Sequence, residues 1–120
     1  MRIFKPKKIN IERFTDLRGN LSVFSSKKNN FKIRRIYLIE NKSTKFIRGN
    51  HARKLGAKHY YCVSGKIEIE VSHNKYKKKI ILKKGELIKI DSRMWIEIKF
   101  LKLSTICLVL DNREYDEKEY

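Results

Sequence analysis

One short stretch of the chain combines residue types that could bind an anion and move a proton. It reads Arg48-Gly49-Asn50-His51-Ala52-Arg53-Lys54, and Lys58 follows four residues later. A neutral imidazole titrates near ~6.5, so His51 could take the acidic proton beside a carbonyl group. The neighbouring cations suit a phosphate group, and cations also stabilise an enediolate as charge builds on its oxygen. The competing interpretation is a lone histidine held by structural hydrogen bonds, and the residue types alone favour it.

Short strands must position this stretch, because apolar and polar residues alternate along most of the chain. In 66–72, Ile67, Ile69 and Val71 share one face, opposite Glu68 and Glu70. No window of ten or more residues shows a helical stripe. The predicted strands are 21–24, 33–39, 59–63, 66–72, 76–82, 86–90, 94–100 and 103–110. Eight or nine short strands predict an all-β sandwich or barrel whose mouth could hold one small ligand.

Length and composition place the chain among small globular proteins. Its 120 residues suit a single domain over residues 1–120. No apolar run approaches the ~18 residues of a membrane span, and the N-terminus lacks the features of a signal peptide. Cys62 and Cys107 lie in apolar runs, which favours free buried thiols in a reducing compartment. We therefore expect a cytoplasmic protein without membrane insertion.

The net charge of +17 requires an explanation. Such a charge favours nucleic acid, an anionic membrane surface or a phosphorylated ligand. The basic residues, however, are spread from Lys5 to Lys102, and the one dense run, 75–79, is best explained as a solvated strand face. Single-strand binders also need exposed aromatic platforms, whereas the aromatic residues here fall mostly within apolar runs. We expect no nucleic-acid partner.

The glycine and histidine spacing resembles the two metal-binding motifs of the cupins. In cupins these motifs supply two histidines, a glutamate and a further histidine, all good ligands for a divalent ion. The four corresponding positions here are His51, Arg53, Lys58 and Ile96. Two cations and an apolar side chain do not ligate a metal ion, so the sequence predicts neither a metal nor another cofactor.

Over almost its full length, the chain resembles the sugar 3,4-ketoisomerases, also described as WxcM-like proteins. Six segments match in the same order, and each of them alone would be a weak signal. They are Asp16-Leu17-Arg18-Gly19-Asn20-Leu21, Lys32-Ile33-Arg34-Arg35-Ile36-Tyr37, Arg48-Gly49-Asn50-His51-Ala52, Cys62-Val63-Ser64-Gly65, Trp95-Ile96-Glu97 and Leu108-Val109-Leu110 with Tyr115-Asp116-Glu117 and Tyr120.

This resemblance implies a cupin-like jelly-roll barrel that works without metal, in a homodimer with an exchanged N-terminal strand. It implies conversion of a thymidine diphosphate (TDP) 4-keto-6-deoxy sugar into its 3-keto isomer, for 3-amino sugars of surface glycans. His51 would be the acid/base, Tyr37 would line the sugar pocket, and Arg18 would lie near the reacting carbons. Arg48 and Lys54 would meet the pyrophosphate.

Several positions depart from the family's pattern. Arg53 replaces the second histidine of the usual motif, Lys58 replaces a common glutamine, Ile96 a common histidine or arginine, and Ser25 a glutamate. Arginine cannot act as a base, although Arg53 could hold the enediolate while His51 moves the proton. The alternative is a catalytically degenerate cupin that binds a nucleotide sugar without turnover.

Three other side chains complete the candidates. Trp95 is expected to be a pocket wall that binds substrate or part of the core, and the sequence favours neither. His59 is expected to be packed or at an edge beside two tyrosines. His73 is expected to be solvated in a turn.

Overall fold

The computed structural model describes residues 5–52, 56–116 and 118, with only the backbone of Asn50 and His51. This part of the chain forms strands, turns and one residue of 3-10 geometry, and contains no α-helix. The strands are β1 (Lys7–Ile9), β2 (Glu12–Asp16), β3 (Gly19–Val23), β4 (Arg35–Glu40), β5 (Ile47–His51), β6 (Ala57–Ser64), β7 (Lys66–His73), β8 (Tyr76–Lys83), β9 (Leu87–Asp91), β10 (Trp95–Phe100) and β11 (Ile106–Asp111).

Two antiparallel sheets face each other. One has five strands in the order β1-β9-β6-β11-β4, and the other has four in the order β5-β10-β7-β8. Strands β2 and β3 pair with each other as a separate hairpin. The predicted all-β jelly-roll barrel is therefore confirmed, and period-two alternation is its cause, since one face of each central strand must be buried.

The main core lies between the sheets and takes side chains from both. Its buried members include Ile67, Ile69, Val71, Ile96 and Ile98 from the smaller sheet and are joined by Tyr60, Cys62, Ile88, Ile90, Cys107 and Val109 from the larger one. Both cysteines are free and buried, as expected, and they lie opposite each other on β6 and β11. Burial raises the pKa of the Cys107 thiol to about 12.

A second, smaller cluster covers the outer face of the five-stranded sheet. Phe31, Ala57, Leu87 and Leu110 are buried there, with Ile9, Ile11, Phe24, Ile33, Tyr61 and Leu108 packed against them. The segment between β3 and β4 thus forms a layer over the sheet. This layer packs on the outer face of the larger sheet, and the opposite face of the same sheet lines the barrel interior.

Three strands differ from the sequence-based expectation. Strands β1 and β2 were not anticipated, because β1 has only three residues and β2 is largely polar and exposed. Strand β5 falls where a loop was expected, and it forms by pairing with β10. The lysine-rich run 75–79 lies at the start of β8 and is mostly exposed, in agreement with a solvated strand face.

Candidate functional site at the barrel mouth

A row of three charged residues crosses the inner face of the five-stranded sheet at one end of the barrel. Lys58 on β6 lies opposite Asp111 on β11, and Asp111 lies opposite Arg35 on β4. Lys58 has the same strand parity as the core residues Tyr60 and Cys62, so its side chain points inward. Side chains in directly opposed positions lie about 4.5–5.5 Å apart at Cβ. The row therefore concentrates charge at the barrel mouth.

Asp111 is the centre of this row. It is fully buried, and its Oδ2 accepts a bond of 3.1 Å from Nη2 of Arg35. Its Oδ1 accepts the backbone N–H of Arg113 at 3.1 Å. A carboxylate that is buried away from solvent needs such hydrogen-bond and ion-pair partners, because without them its charge would be uncompensated. The carboxylate thus holds the Arg35 guanidinium in place.

The Arg35 guanidinium also stacks on aromatic rings. It lies 4.8 Å from the ring centre of Tyr37 and 5.5 Å from that of Tyr115. Such cation–π contacts are worth about 0.5–2 kcal/mol, depending on exposure. Tyr37 packs against the core from β4, as expected for a residue that lines the interior. Arg35 therefore connects the sugar-pocket candidate Tyr37 to the C-terminal segment.

A small cavity, with room for little more than one water molecule, opens beside this row and includes Lys58 in its lining. Its other lining residues include Ile90, Met94 and Ile96, so most of its wall is apolar. Ile96 pairs with His51 across β5 and β10, which puts the backbone of His51 next to the cavity wall. The side chain of His51, and all of Arg53 and Lys54, lie outside the described residues.

The C-terminal segment borders the same mouth. Asn112 makes two hydrogen bonds with the backbone of Ala57, one through its side-chain oxygen at 2.9 Å and one through its own N–H at 3.3 Å. A side chain at Gly56 would approach within 2.6 Å of both Arg113 and Asn112. The segment after β11 is thus packed against the start of β6, where Lys58 lies.

Arg48 does not join this group in the described structure. Its guanidinium donates to Oδ1 of Asn41 and to the backbone oxygen of Glu40 at 3.2 Å. Glu40 ends β4, five residues beyond Arg35, which is roughly 16 Å along a strand. Arg48 therefore braces the connection between β4 and β5, away from the Lys58 row.

Arg18 lies on the turn of the β2–β3 hairpin, outside the barrel. Its side chain is 91% exposed and pairs with Asp16 at 2.6 Å. Among the described residues, its side-chain hydrogen bonds go to Asp16 of the same hairpin. Hydrogen bonds from the side chain and the backbone N–H of Arg18 lower the pKa of Asp16.

Of the two expectations for Trp95, a place in the core is wrong, whereas contact with the substrate stays a prediction. Along β10 the even positions Ile96, Ile98 and Phe100 are buried, so the odd ones point outward. Trp95 is 44% exposed, and its indole N–H lies 3.5 Å from Oε1 of Glu97 on the same outer face. Trp95 consequently lines neither the cavity nor the core.

The other two histidines lie where the sequence suggested. His59 is buried on the outer face of β6, stacked on Phe31 with ring centres 3.7 Å apart. Burial, with a smaller contribution from the charge of Lys89, lowers the pKa of His59 to about 4. His73 is solvent-accessible, and its Nδ1 lies 2.8 Å from the backbone oxygen of Arg93. His59 therefore points away from the barrel interior, whereas His73 has the strand parity of the inward-facing Val71 at the end of β7.

Sequence reasoning missed Arg35 and Asp111 as site residues. A signal for each was available: Arg35 is two residues before Tyr37 and shares its face, and Asp111 is the one acidic residue that ends the apolar run 106–111.

Within the described part of the chain, no cluster of three or more metal-ligating side chains of the His, Cys, Asp or Glu type occurs. No helix there is long and apolar enough to cross a membrane.

A two-sheet barrel with a charged, half-enclosed mouth defines a cupin-like small-molecule site, and comparisons with known proteins identify its family. The family model described as FdtA, WxcM-like, C-terminal matches residues 5–120. The chain therefore belongs to the WxcM-like FdtA family. No curated protein matches it.

Solved structures agree with this assignment. A 3,4-ketoisomerase from Helicobacter canadensis is 32% identical, with 96% of this chain and 88% of that chain covered and a TM-score of 0.88. The WlaRB TDP-quinovose 3,4-ketoisomerase from Campylobacter jejuni is 31% identical, with 98% and 92% covered and a TM-score of 0.89. A double mutant of the QdtA 3,4-ketoisomerase from Thermoanaerobacterium thermosaccharolyticum, in complex with TDP, is 26% identical, with 99% and 88% covered and a TM-score of 0.92. These similarities support a nucleotide-sugar isomerase.

Proposed function

We propose that residues 1–120 form one domain that isomerises a TDP-linked 4-keto-6-deoxyglucose to its 3-keto isomer. The observation that carries the proposal is the inward-facing charged row beside the cavity, in a chain whose relatives are named 3,4-ketoisomerases. A relative solved with TDP supports the nucleotide part. In the cell, such a product would enter the synthesis of deoxyamino sugars for surface glycans such as O-antigens, and the enzyme would be cytoplasmic.

The reaction needs a base that moves one proton between neighbouring ring carbons. His51 would remove the proton from C3, which is acidic because of the adjacent C4 carbonyl, and would return it to C4. Both transfers must occur on one face of the ring, because a single imidazole serves both carbons. Tyr37 would contact the sugar from β4. The chemistry proposed here uses no metal, because the developing negative charge on oxygen is met by cations.

Fixed positive charge would bind the diphosphate and support the enediolate. Lys54 and Arg48 are assigned to the pyrophosphate, and Arg53 to the enediolate. Arg48 already donates hydrogen bonds to Glu40 and Asn41. It would therefore bind the pyrophosphate through its remaining N–H donors, or after the β4–β5 connection has rearranged. Since Trp95 faces outward, its contact with a substrate would come from outside its own barrel.

We propose a homodimer with an exchanged N-terminal strand as the working assembly. The hairpin displays Phe14, Leu17 and Leu21 to solvent, and the edge strand β4 displays Ile36 and Leu38. Exposed apolar groups on an unpaired edge are the features of a strand-mediated contact. In a dimer, the hairpin could bring Arg18 to the site of the second copy, which its isolated position in one chain does not allow.

Turnover in D₂O tests the proposed reaction. The purified protein is incubated with TDP-4-keto-6-deoxyglucose, and the products are followed by NMR. We expect the 3-keto isomer with deuterium at C4, and deuterium at C3 of recovered substrate. The His51→Asn variant should lose at least about 100-fold in rate, as expected for removal of a general base. The control Lys99→Met, on the exposed outer face of β10, should match the wild type.

The competing function is binding without turnover. It is motivated by two residues of the cavity wall, Lys58 and Ile96. The family that the sequence resembles commonly has a glutamine at the first position and a histidine or arginine at the second. It predicts a calorimetric signal for TDP together with neither deuterium exchange nor 3-keto product. Exchange above the rate without protein excludes this alternative. Absence of both exchange and product in the wild type contradicts the isomerase.

A further inference from the structure

Isomerisation of a 4-keto sugar requires a second proton movement, between oxygens. The C4 oxygen begins as a carbonyl and ends as a hydroxyl, while the C3 oxygen changes in the opposite direction. His51 can transfer the proton between the two carbons from one face of the ring. The two oxygens lie at the edge of the ring, close to its plane, so a different group must exchange protons with them. The question is which group of this chain can exchange a proton with both oxygens.

Arginines at the mouth are unsuited to this task. A guanidinium remains protonated under all physiological conditions, so Arg35 can supply charge without relaying a proton. It is also held by Asp111 and stacked on Tyr37. A lysine amine has mobile protons on a flexible stem, and it can give one up and take one back.

Lys58 is such an amine in a suitable position. It is 5% exposed and lines the cavity together with Ile90, Met94 and Ile96. The backbone of His51 lies across the same wall, paired with Ile96. Lys58 and Asp111 occupy opposed positions on β6 and β11, so both side chains leave the same inner face of the sheet, where Asp111 also pairs with Arg35.

We propose that Lys58 is the catalytic group that relays the oxygen-bound proton; this inference rests on the proposed isomerase function. As His51 takes the proton from C3, the Lys58 ammonium gives one to the C4 oxygen, and a neutral enediol forms. The Lys58 amine then takes the proton of the C3 hydroxyl as the C3 carbonyl forms. His51 delivers its proton to C4, and both side chains return to their starting states.

The relay predicts a loss of turnover without a loss of binding. Lys58→Met removes the amine and fits the apolar cavity, and Lys58→Arg keeps the charge while removing the relay. Both variants should lose about 100-fold or more in kcat, with KM and the Kd for TDP within about threefold of wild type. The matched control is Lys99→Met, since Lys99 is an exposed residue on the outer face of β10.

The outcomes separate the relay from other roles. Wild-type kcat in Lys58→Arg would show that charge suffices and would overturn the relay, as would wild-type kcat in Lys58→Met. A loss confined to KM and to TDP affinity would make Lys58 a phosphate-binding residue and also overturn it. Lys58→Leu, checked by thermal unfolding, replaces Lys58→Met if the latter does not fold. A wild type that turns over no keto sugar instead rejects the isomerase itself.

Discussion

Among single residues, the buried imidazole of His59 couples stability to pH. It is 1% exposed and stacked on Phe31, and neither ring nitrogen has a hydrogen-bond partner among the described residues. Its pKa falls from 6.5 to about 4 because burial penalises the charged form. The unfolded state therefore binds the proton more readily than the folded state. With neutral His59, the free energy of unfolding has its full value above the pKa of the unfolded state. This value decreases progressively as the pH falls from about 6.5 to 4.

Replacing this imidazole should remove that pH dependence. For the wild type, we expect this one group to lower the free energy of unfolding by roughly 2–3 kcal/mol between about pH 7 and 4.5. His59→Phe keeps an aromatic ring against Phe31 and should show a smaller acid loss by about that amount. Urea unfolding at both pH values measures the difference. His73→Gln is the control, and an equal acid loss in His59→Phe and the wild type would contradict this account.

Among the elements, the β5–β10 pair decides where His51 lies. The pairing register shifts between Ile96 and Glu97, and Gly49 at this irregularity has φ +93. A Cβ at Gly49 would lie 2.5 Å from the backbone oxygen of Ile96. Only glycine combines this φ with so close an approach of two strands. The residue thus sets the path of β5 two positions before His51.

Gly49→Ala should therefore displace β5 and reduce both stability and turnover. We expect a loss of about 1–3 kcal/mol in the free energy of unfolding, from strained backbone and a backbone clash that no side chain can relieve. Gly19→Ala provides the comparison in stability, because Gly19 also has a positive φ but nothing within 4 Å of an added Cβ. Denaturant unfolding of the two variants tests this, and equal losses would argue against the clash.

The same elements show what sequence patterns can and cannot predict. Strands β7 and β10 were predicted almost to the residue, because one face of each is fully buried and the alternation is strict. Strands β1 and β5 were missed, since they pair with the distant strands β9 and β10. Strand β2 pairs with the neighbouring β3 and was missed because it is largely polar and exposed. The Arg35–Asp111 pair was missed for the same reason: 76 residues separate its members, and only the β4–β11 register brings them together.

For the whole molecule, the exposed apolar residues of the hairpin and of β4 lead us to expect a dimer. Light scattering should give twice the 14.4 kDa of the chain. Replacing Leu17 and Leu21 by Ser should shift the protein toward monomer, because burial of two leucines contributes about 3–6 kcal/mol. Leu103→Ser is the control, as Leu103 is similarly exposed but lies in the turn before β11. A wild-type mass of one chain would contradict the dimer.

The central place of β11 also has a consequence for synthesis on the ribosome. β11 is the last of the described strands to be made, yet it lies between β6 and β4 and carries Asp111 to the middle of the charged row. Strand β4 emerges early and has no described partner other than β11. At roughly 5–20 residues per second, the nascent chain holds this strand unpaired for several seconds. During that interval Arg35 lacks the Asp111 carboxylate, so the charged row at the barrel mouth forms in a late step of folding.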